Sequence, residues 1–304
     1  MRSFGTRETM ELLPYGPLAE SIREVALAAA EGRATAPPRV RVPLPEGGML
    51  LVMPASDGEL AITKLVTVHP RNASRGLPTI RGEVVVLAAE TGERLGLLDG
   101  SVVTARRTAA LSLLAARALA PRPESPLLVV GAGTQGRSHL EAFREGLGVR
   151  RAFIASRTPE SAEGLAAHAR ALGMAARAVR RPEEALAEAR LVVTATTSRE
   201  PVLPEKLHPE TFVAAVGAYT PEAAELPPAL VAEGSVFVDT LEGAREEAGD
   251  LIRAAAAGAF RWEEATEFAG ALREGGRPAG GPVIFKSVGH ALWDLAAARR
   301  ALHG

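Results

Sequence analysis

A glycine pattern near the middle of the chain has the residue types and spacing of a phosphate-binding turn. Leu127–Val130 is a charge-free apolar run, Gly131-Ala-Gly133-Thr-Gln-Gly136 follows it, and helix-forming residues come next. In such a strand–turn–helix the first glycine permits the tight turn, the second lets backbone N–H groups approach a pyrophosphate, and the third lets helix and strand pack closely. A glycine-rich turn without a ligand has the same pattern, but the further strand–helix units that follow favour a dinucleotide site.

The end of the next strand indicates which dinucleotide is preferred. In this arrangement an acid at that position binds the adenosine ribose of NAD, whereas an arginine accepts the 2′-phosphate of NADP. The sequence here is Ala155-Ser156-Arg157-Thr158, with no acid before Glu160. A guanidinium flanked by two hydroxyls suits a phosphate, although a surface arginine at the start of a helix would look the same. We expect NADP(H) to be preferred, with NAD(H) possible.

The composition excludes several classes of function. A net charge of −1 argues against a general nucleic-acid binder. The absence of cysteine excludes disulfides, thiolate metal sites and thiol nucleophiles, and the six histidines lack metal-ligand spacing, so no metal site is expected. No charge-free apolar run is long enough to cross a membrane, and the first residues do not resemble a secretory signal. We expect a cytoplasmic protein that binds neither nucleic acid nor membranes.

The pattern of strands and helices changes near Pro121. Before it, close-spaced strands separated by turns predict an antiparallel sheet within an α+β domain. After it, strands and helices alternate, which is typical of a Rossmann-type doubly wound parallel sheet in an α/β protein. The predicted strands are residues 49–54, 60–68, 82–88, 95–98, 127–130, 152–155, 175–179, 191–195, 212–216 and 236–239. The predicted helices are residues 17–32, 101–120 with Ser101 as N-cap, 159–172, 182–189, 243–257 and 287–302, and residues 274–282 are expected to form a mobile loop.

Motifs along nearly the whole chain resemble those of the ornithine cyclodeaminase/mu-crystallin family. They are Lys64-Leu-Val-Thr-Val68, Gly76-Leu-Pro78, Asp99-Gly100, Thr104-Ala-Arg-Arg-Thr-Ala-Ala110, the Gly131–Gly136 turn, Pro221 with Glu225-Leu226, and Phe285-Lys-Ser-Val-Gly289. The resemblance implies a homodimer with a discontinuous substrate and dimerisation domain plus a Rossmann domain. The expected boundaries are 1–118 with 287–304 for the first domain and 119–286 for the second.

The resemblance also implies that three basic residues hold the substrate carboxylate opposite the nicotinamide. The matching positions are Arg39, Lys64 and Arg107. A planar carboxylate suits a bidentate arginine, and Lys64 is a lysine inside an apolar strand of a chain that otherwise uses arginine. From the residues alone, Lys64 would equally be a snorkelling edge residue and Arg107 a cation on a helix surface.

Tyr219 departs from the family pattern within Gly217-Ala-Tyr219-Thr-Pro221. Ornithine cyclodeaminases carry an aspartate there, to which general acid/base work is assigned, whereas tyrosine has an unperturbed pKa near 10 and is a poor base at neutral pH. The sequence instead resembles the branch that reduces Δ1-pyrroline-2-carboxylate and Δ1-piperideine-2-carboxylate. Tyr219 either lines the pocket or relays a proton.

The expected function is therefore NAD(P)H-dependent reduction of a small cyclic imino acid to L-proline or L-pipecolate. The alternatives are a cyclodeaminase, an amino-acid dehydrogenase such as one acting on alanine, and a non-catalytic NADPH- and ligand-binding protein. The proposed catalytic set is Lys64, Arg107, Arg39 and Tyr219. The residues assigned to the cofactor are Thr108, which we place at a helix start, Gly131, Gly133, Thr134, Gln135, Gly136, Ser156, Arg157, Thr158, Ala195, Thr196, Thr197, Val216 and Gly217. An acidic helix face at Glu242, Glu246, Glu247 and Asp250 is expected to be solvated rather than catalytic.

Overall fold

The computed structural model describes residues 2–275 and 280–304, and the chain divides into two compact units. Unit 1 is Met1–Arg107 with His290–Gly304, and unit 2 is Thr108–Gly289. The first boundary lies at residue 107 instead of 118, within helix α3 (Gly100–Leu119), and the second lies at residue 289 instead of 286. The assignment of substrate binding and dimerisation to the first domain stays a prediction.

Unit 1 is built on a seven-stranded sheet with strand order β1-β7-β6-β5-β4-β2, in which β3 pairs with β4. Its pairs are antiparallel except for β1 with β7, which confirms the antiparallel sheet. Its strands are β1 (Arg2–Phe4), β2 (Ala34–Thr35), β3 (Val40–Leu44), β4 (Gly48–Asp57), β5 (Leu60–Val68), β6 (Ile80–Ala88) and β7 (Arg94–Asp99). Its helices are α1 (Thr6–Leu12), α2 (Tyr15–Ala30), the first part of α3 (Gly100–Leu119) and α11 (Ala291–His303), with 3-10 turns at Pro45–Gly47 and Pro70–Arg75.

One face of this sheet is covered. The helix α11 packs against α2 and against the strands β4, β5 and β6. Alternate residues of β5 are accordingly buried, namely Leu60, Ile62, Lys64 and Val66. Because side chains alternate between the two faces of a strand, Lys64 lies on the face that α11 covers.

Unit 2 is built on an eight-stranded parallel sheet with strand order β10-β9-β8-β11-β12-β15-β13-β14. Every residue of β8, β11, β12 and β15 is buried, so both faces of the sheet are covered, as in α/β folds. Its strands are β8 (Leu127–Val130), β9 (Arg151–Ala155), β10 (Ala175–Val179), β11 (Leu191–Thr194), β12 (Phe212–Ala215), β13 (Ser235–Val238), β14 (Thr266–Glu267) and β15 (Val283–Lys286). Its helices after α3 are α4 (Thr134–Leu147), α5 (Pro159–Ala171), α6 (Glu183–Leu186), α7 (Pro228–Glu233), α8 (Leu241–Glu247), α9 (Gly249–Ala256) and α10 (Phe268–Glu274), with a 3-10 turn at Trp262–Glu264.

The strand order of unit 2 reverses between β8 and β11. From β8 the chain proceeds outward through β9 to β10, then returns to the other side of β8 as β11 and continues to β12. In doubly wound sheets, ligands bind beyond the carboxyl ends of the strands at such a reversal. The parallel sheet expected from the sequence is confirmed, and its topology places a ligand crevice after Val130 and Thr194.

The N-cap prediction for α3 is wrong. The side chain of Asp99 accepts hydrogen bonds from the backbone N–H groups of Ser101, at 2.9 Å, and Val102, at 3.1 Å, and the helix begins at Gly100. Both aspartate and serine are good N-caps, so sequence preference alone could not choose between them.

Three later elements also differ from the predictions. Residues 243–257 form two helices that meet at Ala248, whose φ of −79° and ψ of 82° are not helical, and the backbone at Gly249 packs closely against that of Ala223. The predictions omit β15 and start the last helix at residue 287. In fact the Ser287 hydroxyl and the Gly289 N–H both donate to Asp239, at 2.7 and 2.8 Å, so α11 begins only at Ala291.

Residues 182–189 contain only the short helix α6. Residues 276–279 of the expected loop at 274–282 lie outside the described residues. Over the ranges 2–275 and 280–304, no helix has both the length and the apolar content required to cross a membrane.

Candidate functional site

The turn between β8 and α4 in unit 2 can be built only with glycine at two positions. Gly131 has a φ of 111°, and a Cβ there would lie 2.4 Å from the carbonyl oxygen of Ala195. A Cβ at Gly136 would lie 1.9 Å from the carbonyl oxygen of Gly131, so the helix approaches the turn directly. At Gly133, the N-cap of α4, a Cβ would meet no atom within 4 Å. The backbone is therefore open to a ligand at the positive end of a helix, which suits a phosphate group.

A cleft of about 600 Å³ opens beside this turn. Eight residues of the predicted cofactor set line it, from the ends of three strands: Gly131, Gly133, Ser156, Arg157, Thr158, Ala195, Thr196 and Thr197. The rest of the lining is Val130, Ala155, Ser161, Arg180, Pro182, Ser198 and Val202. The residues fit a dinucleotide, because the described lining combines an open glycine turn, hydroxyl groups and two guanidinium groups, and none of its described residues is a carboxylate.

Arg180 was missed by the sequence predictions. It follows Val179, the last residue of β10, and β10 pairs in parallel with β9, whose last residue precedes Ser156. The two neighbouring strand ends therefore bring Arg180 and Arg157 into the same cleft. Arg180 directly follows a predicted strand, which is a position typical of ligand-binding residues. Assigning it to the cofactor cleft also required the order of the strands in the sheet, which the sequence did not show.

The remaining predicted cofactor residues of unit 2 do not line the cleft. Thr134 and Gln135 begin α4, and the carbonyl oxygen of Gln135 accepts a hydrogen bond from His139 at 2.7 Å. Val216 is buried beyond β12, where its N–H donates to the carbonyl oxygen of Thr194. Gly217 donates its N–H to the carboxylate of Glu225, which the sequence analysis placed in a family motif but did not assign to the site.

Glu225 ties together the ends of β11 and β12. Its fully buried carboxylate accepts hydrogen bonds from the N–H of Thr196 at 2.6 Å, the N–H of Gly217 at 2.7 Å and the hydroxyl of Thr194 at 2.9 Å. Burial raises the pKa of Glu225, while the nearby Lys286 ammonium lowers it. Since Thr196 lines the cleft, this carboxylate fixes part of the cleft wall.

The expectation of a solvated acidic face is wrong for Glu247 and Asp250, which are both buried. Asp250 accepts hydrogen bonds from the backbone N–H groups of Glu225 and Leu226 and forms an ion pair with Lys286, with 2.6 Å between Oδ2 and Nζ. The helix pattern gave no indication of this burial, because the partners come from residues 24 or more positions away along the chain.

A second polar site lies in unit 1. Lys64 on β5 is 2% exposed and Arg107 on α3 is 6% exposed, so neither is the surface cation that the residues alone allowed. Both face Asp294 on α11: Lys64 Nζ lies 2.7 Å from Oδ2 and Arg107 Nε lies 3.3 Å from Oδ1. The Lys64 ammonium also lies 3.5 Å from the hydroxyl of Thr104, to which it donates.

The charges around Lys64 oppose one another. Burial lowers the pKa of Lys64, the Asp294 carboxylate raises it, and the guanidinium groups of Arg107 and Arg39 lower it, which together leave it at about 8. Arg39 is half-buried just before β3. The structure thus brings the three predicted basic residues into one electrostatic cluster, and it adds a carboxylate that the sequence predictions missed.

Asp294 had a signal in the sequence. It is the only charged residue in a run of twelve, 287–298, that is otherwise apolar or neutral at pH 7. A buried carboxylate in such a run requires a cation as its partner. Lys64, a cation in an apolar strand, likewise requires an anion.

Two predicted site residues have other surroundings than expected. Tyr219 is 42% exposed and is not among the residues that line the cleft. Thr108 is buried but lies in the third turn of α3 rather than at its start, because the helix begins at Gly100. Placing Thr108 at a helix start was wrong, so it does not lie beside the free N–H groups of a first helical turn that could bind a phosphate.

Several known proteins are similar to this chain in sequence and in fold. Delta(1)-pyrroline-2-carboxylate reductase 1 of Burkholderia multivorans is 41% identical over 300 residues, which are 98% of this chain and 94% of that protein. A Delta(1)-pyrroline-2-carboxylate/Delta(1)-piperideine-2-carboxylate reductase of Azospirillum brasilense is 40% identical over 299 residues, with the same coverage of 98% and 94%. The structure of Thermococcus litoralis Delta(1)-pyrroline-2-carboxylate reductase in complex with NADH and L-proline superposes with a TM-score of 0.93 at 29% identity, covering 99% of this chain and 96% of that one. Residues 6–302 match the family described as ornithine cyclodeaminase/mu-crystallin, and the chain belongs to that family.

Proposed function

We propose that the chain is a nicotinamide-dependent reductase of cyclic ketimines, which converts Δ1-pyrroline-2-carboxylate to L-proline or Δ1-piperideine-2-carboxylate to L-pipecolate. The observation that carries the proposal is the pair of buried cations, Lys64 and Arg107, in a chain 40–41% identical over 98% of its length to reductases of these names. Two buried cations call for two negative charges; the Asp294 carboxylate provides one, and a substrate carboxylate provides the other.

Reduction of a preformed imine requires a hydride at the ring carbon and a proton at the ring nitrogen. When bound, the reduced nicotinamide supplies the hydride. Arg39, Lys64 and Arg107 bind the carboxylate and fix the orientation of the ring, which lowers the entropic part of the barrier. Lys64, which is protonated below about pH 8, gives the nitrogen its proton.

Tyr219 supports reduction over cyclodeamination. Release of ammonia from ornithine calls for a carboxylate base at this position, as the family resemblance implies, whereas reduction of a preformed imine does not. Phenols in general are poor bases at neutral pH, and the side chain at this position is exposed. We assign it to the edge of the substrate pocket rather than to proton transfer.

The cofactor preference that we propose is NADPH over NADH. Arg157 and Arg180 line the same cleft, and within residues 2–275 and 280–304 no carboxylate lines it. Two guanidinium groups favour a 2′-phosphate, whereas the ribose hydroxyls of NADH would need an acceptor carboxylate that the lining does not offer. NADH serves as the second cofactor, with lower affinity.

We also propose that the chain forms a homodimer through the face of the unit 1 sheet opposite Lys64. Val40, Val52 and Leu65 lie directly across from one another on β3, β4 and β5, and Val40 and Leu65 are 55% and 39% exposed. An exposed apolar row on a sheet face favours burial against a second copy. Sedimentation equilibrium tests this: Leu65→Lys is expected to give monomers and Met10→Lys, at an exposed apolar residue on α1, to leave the dimer intact.

The proposed activity is tested by absorbance at 340 nm. We expect rapid oxidation of NADPH with Δ1-pyrroline-2-carboxylate and no proline or ammonia from ornithine with NAD. Proline and ammonia from ornithine would instead establish a cyclodeaminase. Oxidation of alanine with NAD would favour a dehydrogenase, and NADPH binding without any turnover would favour a binding protein.

A further inference from the structure

We propose that Asp294 is a positioning residue for the substrate: it holds Lys64 and Arg107 at a fixed separation and supplies their counter-charge. The proposal rests on the proposed function, in which these two cations bind the carboxylate. No predicted role had been attached to Asp294, which lies on the last helix, more than 180 residues beyond Arg107 in the chain.

The two oxygens of Asp294 face different cations from different elements. Oδ2 lies 2.7 Å from Lys64 Nζ on β5, and Oδ1 lies 3.3 Å from Arg107 Nε on α3. The carboxylate itself is fully buried. Since Asp294 meets the guanidinium through Nε, a substrate carboxylate can approach Arg107 through the terminal nitrogens in the bidentate geometry that arginine favours.

The electrostatic balance at Lys64 depends on Asp294. The groups that face the lysine are Asp294 from α11, Arg107 and Thr104 from α3, and Arg39 before β3. Of these, only Asp294 is an anion. Burial and the two guanidinium groups all lower the pKa of Lys64, which stands at about 8 because the carboxylate opposes them. Without that anion the lysine would lose its proton at neutral pH, and a neutral amine neither attracts a carboxylate nor protonates an imine.

A second ion pair on the same helix provides the contrast. Arg299 near the end of α11 contacts Asp57 at the end of β4, with 2.8 Å between Nη1 and Oδ2. This pair joins the same helix to the same sheet, but it involves one cation and is partly exposed. Asp57→Asn therefore removes a helix–sheet ion pair of unit 1 without touching Lys64 or Arg107, and it serves as the matched control for Asp294→Asn.

The chain offers a direct measurement of the Lys64 charge, because its only lysines are Lys64, Lys206 and Lys286. Protein labelled with ¹³C at lysine Cε should give three NMR signals, and Lys206→Arg identifies the exposed one. We expect the Lys64 signal to titrate near pH 8 in the wild type. In Asp294→Asn its midpoint should fall by about 1–3 pH units, the usual effect of one close opposite charge. Asp57→Asn should leave it unchanged.

Steady-state kinetics with Δ1-pyrroline-2-carboxylate provide the second readout. For Asp294→Asn we expect kcat/KM near neutral pH to fall by at least about tenfold, with the alkaline limb of the pH profile displaced to lower pH together with the Lys64 titration. The affinity for NADPH should not change, and Asp57→Asn should retain the wild-type profile even if its melting temperature falls.

The outcomes separate the two proposals. An unchanged Lys64 titration in folded Asp294→Asn, or an equal displacement in Asp57→Asn, would overturn the role of Asp294. A wild-type protein that fails to reduce the imine while Lys64 still responds to Asp294→Asn would overturn the proposed function and leave the electrostatic role of Asp294 in place.

Discussion

Lys286 and Asp250 form an ion pair in which both side chains are fully buried, with 2.6 Å between Nζ and Oδ2. Lys286 ends β15, an interior strand of the parallel sheet, and Asp250 lies in the first turn of α9. The same carboxylate accepts hydrogen bonds from the backbone N–H groups of Glu225 and Leu226. The pair thereby fixes the segment from which the Glu225 side chain reaches Thr196 and Gly217.

Replacing Lys286 by Met should destabilise the protein strongly. The carboxylates of Asp250 and Glu225 would remain buried without their cation, and breaking a buried pair from one side typically costs about 3–5 kcal/mol. Urea unfolding measures the change. Lys206→Met is the control, because Lys206 is exposed and lies 4.0 Å from Glu233, so its loss should change the free energy of unfolding by less than about 0.5 kcal/mol. Equal losses in the two variants would contradict the importance of the buried pair.

Glu225→Gln should weaken cofactor binding more than it slows turnover of the bound complex. The amide keeps one acceptor oxygen, but its NH₂ group faces an N–H donor, either that of Thr196 or that of Gly217. Loss of one hydrogen bond to a charged acceptor is worth about 1.5–3 kcal/mol, so we expect the Kd of NADPH to rise by at least about tenfold. Quenching of protein fluorescence by the cofactor provides the measurement.

The control for Glu225→Gln is Glu222→Gln, at an exposed position of the same segment. It should leave the Kd of NADPH unchanged. A Glu225→Gln protein with wild-type affinity for the cofactor would show that the cleft wall does not depend on this carboxylate.

The elements built from local signals were predictable from the sequence. The strand Leu127–Val130 and the turn at Gly131 and Gly136 were identified because an apolar run and a steric requirement for glycine are both encoded in adjacent residues. The strand Leu60–Val68 was predicted with its observed bounds because its mostly apolar run is likewise encoded in adjacent residues.

What the sequence did not reveal depends on partners distant in the chain. Glu225 and Asp250 are buried because Thr196 and Lys286 meet them in the fold, and no pattern within a single helix or loop predicts these pairings. For Asp294 the apolar run around it indicates burial but does not identify Lys64 as its partner. The single helix predicted over residues 243–257 is interrupted at Ala248, next to the tertiary contact between Gly249 and the backbone of Ala223.

Arg157→Ala and Arg180→Ala should change the choice between NADPH and NADH. If the two guanidinium groups bind the 2′-phosphate, each loss should raise the Kd of NADPH by about tenfold or more while leaving that of NADH nearly unchanged. Arg177→Ala is the control, since Arg177 on β10 stacks over the ring of Phe153 at 4.8 Å and does not line the cleft. Equal losses for both cofactors would refute the 2′-phosphate assignment.

Lys64→Ala should depress kcat/KM for the ketimine by about two orders of magnitude or more, because the variant lacks both a carboxylate ligand and the proposed proton donor. Asp294 keeps Arg107 as its cation, so the fold should survive the substitution. Binding of NADPH, measured by fluorescence, should persist. Wild-type kinetics in this variant would remove Lys64 from the site.

His139 should make the protein less stable as the pH falls below about 6.5. The ring is fully buried on α4, where Nδ1 donates to the carbonyl oxygen of Gln135 at 2.7 Å and Nε2 accepts from the hydroxyl of Ser112 at 2.9 Å. Burial lowers the pKa of His139 from 6.5 to about 4. Between these values the unfolded chain binds a proton that the folded chain does not, so the free energy of unfolding falls with decreasing pH, by about 3 kcal/mol over the whole interval.

Urea unfolding at a series of pH values should show a shallower dependence of the free energy of unfolding on pH in His139→Gln than in the wild type. The control variant His208→Gln, at an exposed position, should follow the wild type closely. Parallel curves for the wild type and His139→Gln would mean that this histidine does not titrate differently in the two states.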